Sequence, residues 1–313
     1  MKENISPVLE TGKALPKVKS KVIRNVAWVD RLAPYLFISP FILFFLALFI
    51  GPSIYSLVLS FFRYKGYGDA TFVGIANYVS ILQYHVFWTE LVNTIFYWLV
   101  HVIPLMVGAF LLAVLVRSKF IKGQRFFKPV LFVPNIVATV AAALVFQSLF
   151  GTQYGVINKL LGTQIDWLHD PTITKFVVVL LLIWKGLGWW FIIFLVGLTS
   201  INPELEEAAT VDGASVRQRL VYIVIPLMRN IFLFAFVIDA INSLRMFTEP
   251  NVLVGRSGQL ADPEVAPLLN LLISNLRGAS FGQASAVGWI LFVLTLGITL
   301  IQFRILRSSD EER

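Results

Sequence analysis

Apolar residues run along this chain in six long stretches, near 33–62, 92–116, 129–150, 174–198, 227–249 and 284–306. Each approaches the roughly 20 residues that a helix needs to cross about 30 Å of hydrocarbon. The third and fifth are interrupted by Asn135 and Gln147 and by Asp239 and Arg245, so their ends are the least sharply drawn. The pattern predicts an all-α, polytopic membrane protein, a six-helix transmembrane bundle over residues 32–307. A basic tail, residues 1–31, precedes the bundle and a short tail, 308–313, follows it. No internal repeat or low-complexity linker divides it. The first span follows a long polar segment and shows no small-residue cleavage pattern, so it is expected to stay in the mature protein.

Composition agrees with lipid as the solvent. Of 313 residues, 57% are apolar and 14% charged, against about 25% charged in an average soluble domain. A water-soluble monomer is excluded, because a folded surface needs more charge than this to stay wet. The chain has no cysteine, which removes disulfides, thiolate catalysis and Cys-ligated metals. His85, His101 and His169 are far apart and form no metal pattern.

The net charge of +8 is absorbed by topology. Lys and Arg collect on the cytoplasmic side of membrane proteins. Eighteen fall in the N-terminal tail, the second loop, the fourth loop and the C-terminal tail, and six in the other loops. Both termini are therefore expected in the cytoplasm. A nucleic-acid-binding arm at residues 1–31 is the competing reading, but the inside bias explains the same charges without a partner.

The fourth loop, 199–226, is the most informative. Asn202 is a good N-cap, Pro203 suits the first helical position, and Glu204, Glu206 and Glu207 set negative charge at the positive end of the helix dipole. Gly213 suits the left-handed residue that closes a helix. A second short helix is expected from Ser215, and Pro226 marks re-entry into the fifth span. Two capped helices in a loop much longer than the usual connection suggest that something grips them.

Within this loop stand Glu207-Ala208-Ala209, then three residues, Gly213, nine residues, Ile223, one residue, Ile225 and Pro226. The pattern resembles the EAA loop of permease subunits in bacterial ATP-binding-cassette importers. Asp212-Gly213-Ala214-Ser215 resembles the carbohydrate-uptake branch, the maltose and glycerol-3-phosphate type. Phe72-Val73-Gly74-Ile75-Ala76-Asn77-Tyr78, Asn93-Thr94, Tyr154-Gly155-Val156-Ile157-Asn158 and Gly282-Gln283-Ala284-Ser285-Ala286 extend the similarity over most of the chain. Two departures are visible. Ile225 stands where the pattern usually has Leu, and Phe247-Thr248 with Val254-Gly255-Arg256-Ser257-Gly258 replaces the family's usual Phe-Asp and Gly-rich run, weakening any carry-over of contacts by that loop.

The resemblance implies a permease of the type I importer kind in the cytoplasmic (inner) membrane. It implies a second permease subunit as heterodimer partner, two ATPase subunits and an external solute-binding protein. The chain itself is expected to be no enzyme and to bind no cofactor, with ATP and Mg on the ATPases. No phosphate-binding loop occurs here: Gly12-Lys13 lacks the upstream glycine, and Arg256-Ser257-Gly258-Gln259 reads as a turn. In the family the loop helix docks on the ATPase. That assigns Glu207, Ala208, Ala209, Gly213, Ile223 and Pro226 to coupling, with an ordinary solvated loop helix as the plainer alternative.

Ionisable groups inside spans mark function by default. Lys185 and Asp239 lie at similar distances from the inner ends of their spans, roughly 18 to 20 Å deep at 1.5 Å per residue, where an ion pair between them can form. By the resemblance, the solute is held by the fourth helix shortly before the loop and by the middle of the fifth. Lys185, Gly186, Trp189, Asp239, Asn242 and Ser243 fall there, with Trp189 offering a ring face and the others hydrogen bonds. The same residues also read as a structural ion pair and interhelical glue. Arg245 has three readings, an acidic solute, Glu249 or the interface; His101 and Asn135 line the path or are satisfied inside the bundle. The other function class left open is a proton-coupled secondary transporter using Lys185, Asp239 and Arg245 as a relay. A membrane-embedded enzyme would need a nucleophile, base or metal cluster, and none is seen.

Overall fold

The computed structural model describes residues 21–117, 124–255 and 259–307. The basic segment 1–20, Lys119 and Lys122 of the second loop, the turn at 256–258 and the tail 308–313 lie outside the described residues. The chain divides into two units, residues 1–55 and 56–313.

In the first unit, α1 (Lys21–Phe45) continues through a π-helical stretch, Leu46–Ile50, into α2 (Gly51–Leu59). Residues 21–31, expected as tail, are already helical: no glycine or proline occurs from Lys21 to Ala33 to stop the helix. Phe41, Phe45 and Phe49 stack in succession at centroid distances of 6.0 and 5.3 Å, as residues four apart on one helix face must.

The second unit opens with a short hairpin, β1 (Phe62–Arg63) against β2 (Thr71–Phe72), in the register Phe62 to Phe72 and Arg63 to Thr71. Helices α3 (Ala76–Gln83) and α4 (His85–Arg117) follow. Then come α5 (Gln124–Ile136), α6 (Thr139–Leu149), α7 (Val156–Leu161) and α8 (Pro171–Thr199). The loop after α8 holds α9 (Pro203–Val211) and α10 (Val216–Arg219), which passes through a π-helical stretch, Leu220–Val224, into α11 (Ile225–Leu227). The chain closes with α12 (Arg229–Leu244), α13 (Thr248–Val254), α14 (Leu269–Arg277) and α15 (Phe281–Arg307).

Among the described residues four helical runs are long and apolar enough to cross a membrane, or six if each of two bent pairs counts as one span. The bends are where simple periodicity fails. The stretch expected at 129–150 is two helices meeting at 93°. Pro129 and Pro134 deprive α5 of two backbone donors, and Ala138 leaves helical geometry with ψ at 134°. The stretch expected at 227–249 bends by 66° at Met228 and ends at Leu244, so the residues from Thr248 onward form a separate short helix.

While α3, α14 and α15 form a separate cluster with the start of α4, helices α4, α5, α6, α12 and α13 pack against α8. One cluster joins its Phe191, Phe194 and Leu198 to Leu105 and Phe110 of α4 and to Met228. A second joins its Val178 and Leu181 to Tyr97 of α4, Phe146 of α6 and Leu253 of α13. Without water to drive apolar surfaces together, such packing rests on close fit. Of the α8 glycines, Gly188 permits the closest approach, since a Cβ there would lie 2.0 Å from the carbonyl oxygen of Leu131 in α5.

At the end of the bundle where α4 begins, buried polar groups fasten irregular chain. The Glu90 carboxylate accepts from Leu271 N at 2.9 Å and Thr94 Oγ1 from Leu268 N at 2.8 Å. Asn93 donates to the carbonyls of Pro263 and Ala266, and Tyr97 to that of Val265. Their spacing puts all four on one face of α4, so the segment before α14 gains the partners that a buried backbone requires. Asn77 does the same for the hairpin, donating to Ser60 and Phe62 carbonyls. Asn158 donates to Thr152 and Ile165 and accepts from Trp167.

Gly188→Ala is expected to destabilise the protein by about 1–3 kcal/mol through overpacking. Gly297→Ala, where a Cβ would meet nothing within 4 Å, is expected to be neutral or mildly stabilising. Thermal unfolding in detergent distinguishes them, and equal midpoints would remove Gly188 as the limiting contact.

Candidate functional site: a mid-bundle cavity and the loop that joins its walls

α8 and α12 face one another across a cavity of about 370 Å³. The volume falls within the ~300–1,000 Å³ range of small-molecule sites. Lys185, Gly186 and Trp189 line it from α8, and Asp239, Asn242 and Ser243 from α12. Lys185 and Trp189 share one face of α8, and Asp239 shares one face of α12 with Asn242 and Ser243, because residues three or four apart are neighbours on a helix surface. His101 of α4, Asn135 of α5, Arg245 after α12 and Thr248 and Glu249 of α13 also line the cavity.

The charges do not pair as their depths in the sequence suggest. Lys185 Nζ donates to Thr139 Oγ1 at the start of α6, and Asp239 faces His101, whose Nε2 lies 3.2 Å from Oδ2 and 3.4 Å from Oδ1. The expected Lys185 to Asp239 ion pair is absent among the described residues. The bend between α5 and α6 is the reason, because it carries the Thr139 hydroxyl to Lys185. The His101 ring is fixed from its other side, with Nδ1 2.7 Å from the Tyr97 carbonyl oxygen. That oxygen can only accept, so Nδ1 donates.

The remaining polar groups differ in how free they are. Ser243 donates to the Asp239 carbonyl of its own helix at 2.7 Å, so its proton is already committed. The Asn242 amide has no protein partner among the described residues and is exposed. Arg245 and Glu249 both line the cavity, yet neither forms an ion pair among the described residues. Trp189 is exposed, with its ring tilted 31° against Phe132 at a centroid distance of 6.4 Å.

The loop between α8 and α12 is built as two capped helices. Asn202 Oδ1 accepts from Glu204 N at 3.1 Å, and Pro203 opens α9. Ala214 N donates to the Ala209 carbonyl and Gly213 N to that of Thr210, a closure that requires the left-handed φ of +83° at Gly213. Ser215 and Gln218 then form a reciprocal capping box for α10. Glu207, Ala208 and Gly213 are exposed, Ala209 and Ile223 half-buried, and half-buried Pro226 leads into the bend before α12. Ile201 and Val224 anchor the ends of the loop in the core, and Glu206 ties α9 to the bundle by accepting from Arg117 at the end of α4 at 2.7 Å.

His101 and Asn135, on the wall, and Thr139, the partner of Lys185, are the residues that periodicity left undecided or missed. His101 was findable: it sits one turn beyond Tyr97 on the face that carries Glu90, Asn93 and Thr94. Thr139 was not, because nothing in its residue type marks a partner for Lys185.

Residues 109–310 match the family described as the binding-protein-dependent transport system inner membrane component. The chain is 31% identical over 294 residues to the arabinooligosaccharides transport system permease protein AraP of Bacillus subtilis strain 168, covering 92% of this chain and 93% of that protein. It is 28% identical to the lactose transport system permease protein LacF of Rhizobium radiobacter, covering 86% and 92%. Its fold is similar to a chain in the crystal structure of a bacterial ABC transporter involved in the import of the acidic polysaccharide alginate. The TM-score is 0.78 at 23% identity, covering 91% of this chain and 99% of that one. The chain therefore belongs to the family of binding-protein-dependent transport system inner membrane components, and is a multi-pass permease subunit of an ABC transporter, not an enzyme.

Proposed function

We propose that this permease passes a sugar or related polar solute into the cell through the cavity between α8 and α12, by alternating access driven by separate ATPase subunits. One observation carries the reading: the loop with the Glu207-Ala208-Ala209 spacing joins the two helices that line the cavity. α8 enters it directly, and α12 leaves it through Pro226 and the bend at Met228. Force applied to α9 reaches both walls. Lys185 lies about 20 Å along α8 from its loop end.

In this reading α9 docks on an ATPase. The Glu207 carboxylate offers a charged acceptor, Ala208 and Ala209 allow close backbone approach, and the Gly213 turn sets the angle of the second helix. Leu205, Val211, Val216 and Tyr222 are exposed around it, an apolar patch of the kind that marks a partner surface. ATP and Mg belong to the ATPases, this chain holding no cofactor. A second permease and an external solute-binding protein complete the assembly. The solutes named for AraP and LacF favour a carbohydrate. The loop and both termini face the cytoplasm, a direction supported by Arg117, Arg217 and Arg219 at that end.

In proteoliposomes holding the whole assembly, Glu207→Ala and Gly213→Val are expected to lower solute uptake per ATP hydrolysed by roughly tenfold, the size of an ordinary coupling free energy. Size-exclusion chromatography checks that the complex still assembles. Wild-type stoichiometry in both variants would remove the coupling role.

Because the chain has no cysteine, orientation can be read with single introduced thiols. Tyr154→Cys is expected to react with an impermeant maleimide in intact cells, and Val211→Cys only after permeabilisation. The reverse result would invert the topology.

A further inference from the structure

We propose that the solute held in this cavity carries an anionic group, a carboxylate as in a uronate-containing saccharide or a phosphate as in a sugar phosphate. The inference rests on the transport reading above and narrows its substrate class.

It follows from a proton inventory of the cavity wall. His101 and Asp239 are both buried, with side chains 5% and 7% exposed, and stand 3.2 Å apart. Nδ1 donates to the Tyr97 carbonyl, so a neutral ring would point the Nε2 lone pair at the carboxylate. That contact is attractive only if the pair holds one further proton, on the ring or on the carboxyl. Either way the pair is neutral as a unit. Asp239 is thereby occupied and does not compensate Lys185.

Among the described residues, the charged groups on the wall outside this pair are Lys185, Arg245 and Glu249. Lys185 is held by a neutral hydroxyl, and Arg245 makes no ion pair among the described residues. One cation is in excess. An uncompensated charge deep in a membrane bundle is costly unless it faces water or a counter-ion, and this one faces a cavity large enough for a solute. A neutral sugar would displace water from these cations without replacing its charge stabilisation, whereas an anionic solute supplies the missing partner. Discrimination then arises from the wall itself, because the site penalises the uncharged analogue.

The test uses the complete assembly in proteoliposomes with its binding protein and ATP. A mixture of neutral oligosaccharides, uronate-containing oligosaccharides and sugar phosphates is presented outside, and the accumulated solutes are resolved by anion-exchange chromatography and mass spectrometry. The expected result is ATP-dependent accumulation of acidic species at least tenfold over neutral ones, with the fraction that enters separating carboxylate from phosphate. Lys185→Gln and Arg245→Gln are each expected to reduce that preference by about tenfold, and Lys185→Arg to retain it. Accumulation of neutral solutes with exclusion of acidic ones would overturn the anionic assignment and leave the import of carbohydrate standing. An acidic preference unmoved in both Gln variants would also overturn it. Hydrolysis of ATP with no fraction accumulated would overturn the carbohydrate reading itself.

Discussion

The close approach of α5 to α8 at Gly188 is the contact on which the rest of this molecule depends. A missing Cβ lets the Leu131 carbonyl come within van der Waals reach of the α8 backbone. The chain then turns through 93° between α5 and α6, after two prolines within α5 and the non-helical Ala138. Thr139 is the first residue of α6, so the turn brings its hydroxyl to Lys185. Lys185 is occupied by a hydroxyl, Asp239 turns to His101, and the charge pattern of the cavity follows.

Much of this was legible in the linear pattern, and the limits were physical. Six apolar stretches mark the membrane class because hydrocarbon thickness fixes helix length. The loop 199–226 was readable in detail, since caps are local: Asn202, Gly213 and Ser215 act on backbone groups within a few residues. The bends were not readable as bends. Pro134 and Pro226 are visible as interruptions, but whether a proline kinks a helix or ends it depends on what the freed backbone groups meet afterwards. Residues 21–31 carry Lys21, Arg24, Asp30 and Arg31 and precede the unbroken apolar run, which marks them as tail, although nothing in their backbone preference opposes a helix.

The cavity shows the same division. Lys185, Gly186, Trp189, Asp239, Asn242 and Ser243 stand out by residue type and depth, and they do line one cavity. Which of them bond to one another was beyond the sequence, because equal depth on two helices fixes height and not azimuth. Asn93 and Asn158 give the converse case. As weak pieces of a resemblance they carried little meaning, and the structure gives them a mechanical one: each fastens irregular chain whose carbonyls would otherwise be buried without partners.

These pins bear on how the molecule can move. At the end where α4 begins, Glu90, Asn93, Thr94 and Tyr97 bind the segment before α14 through five hydrogen bonds, all at least partly buried. At the other end the loop helices are exposed, and Glu206 to Arg117, with both side chains 25% exposed, is a half-exposed tie of modest strength. A bundle fastened at one end and loosely tied at the other changes shape most readily at the loose end. In the proposed function, motion there would tilt α8 and α12 about the fastened region. The cavity lies between those two fixed and mobile ends, so a displacement at the loop alters its shape while the opposite end holds. A weak tie suits the proposed coupling role, since an ion pair of several kcal/mol between Arg117 and Glu206 would resist displacement of the loop.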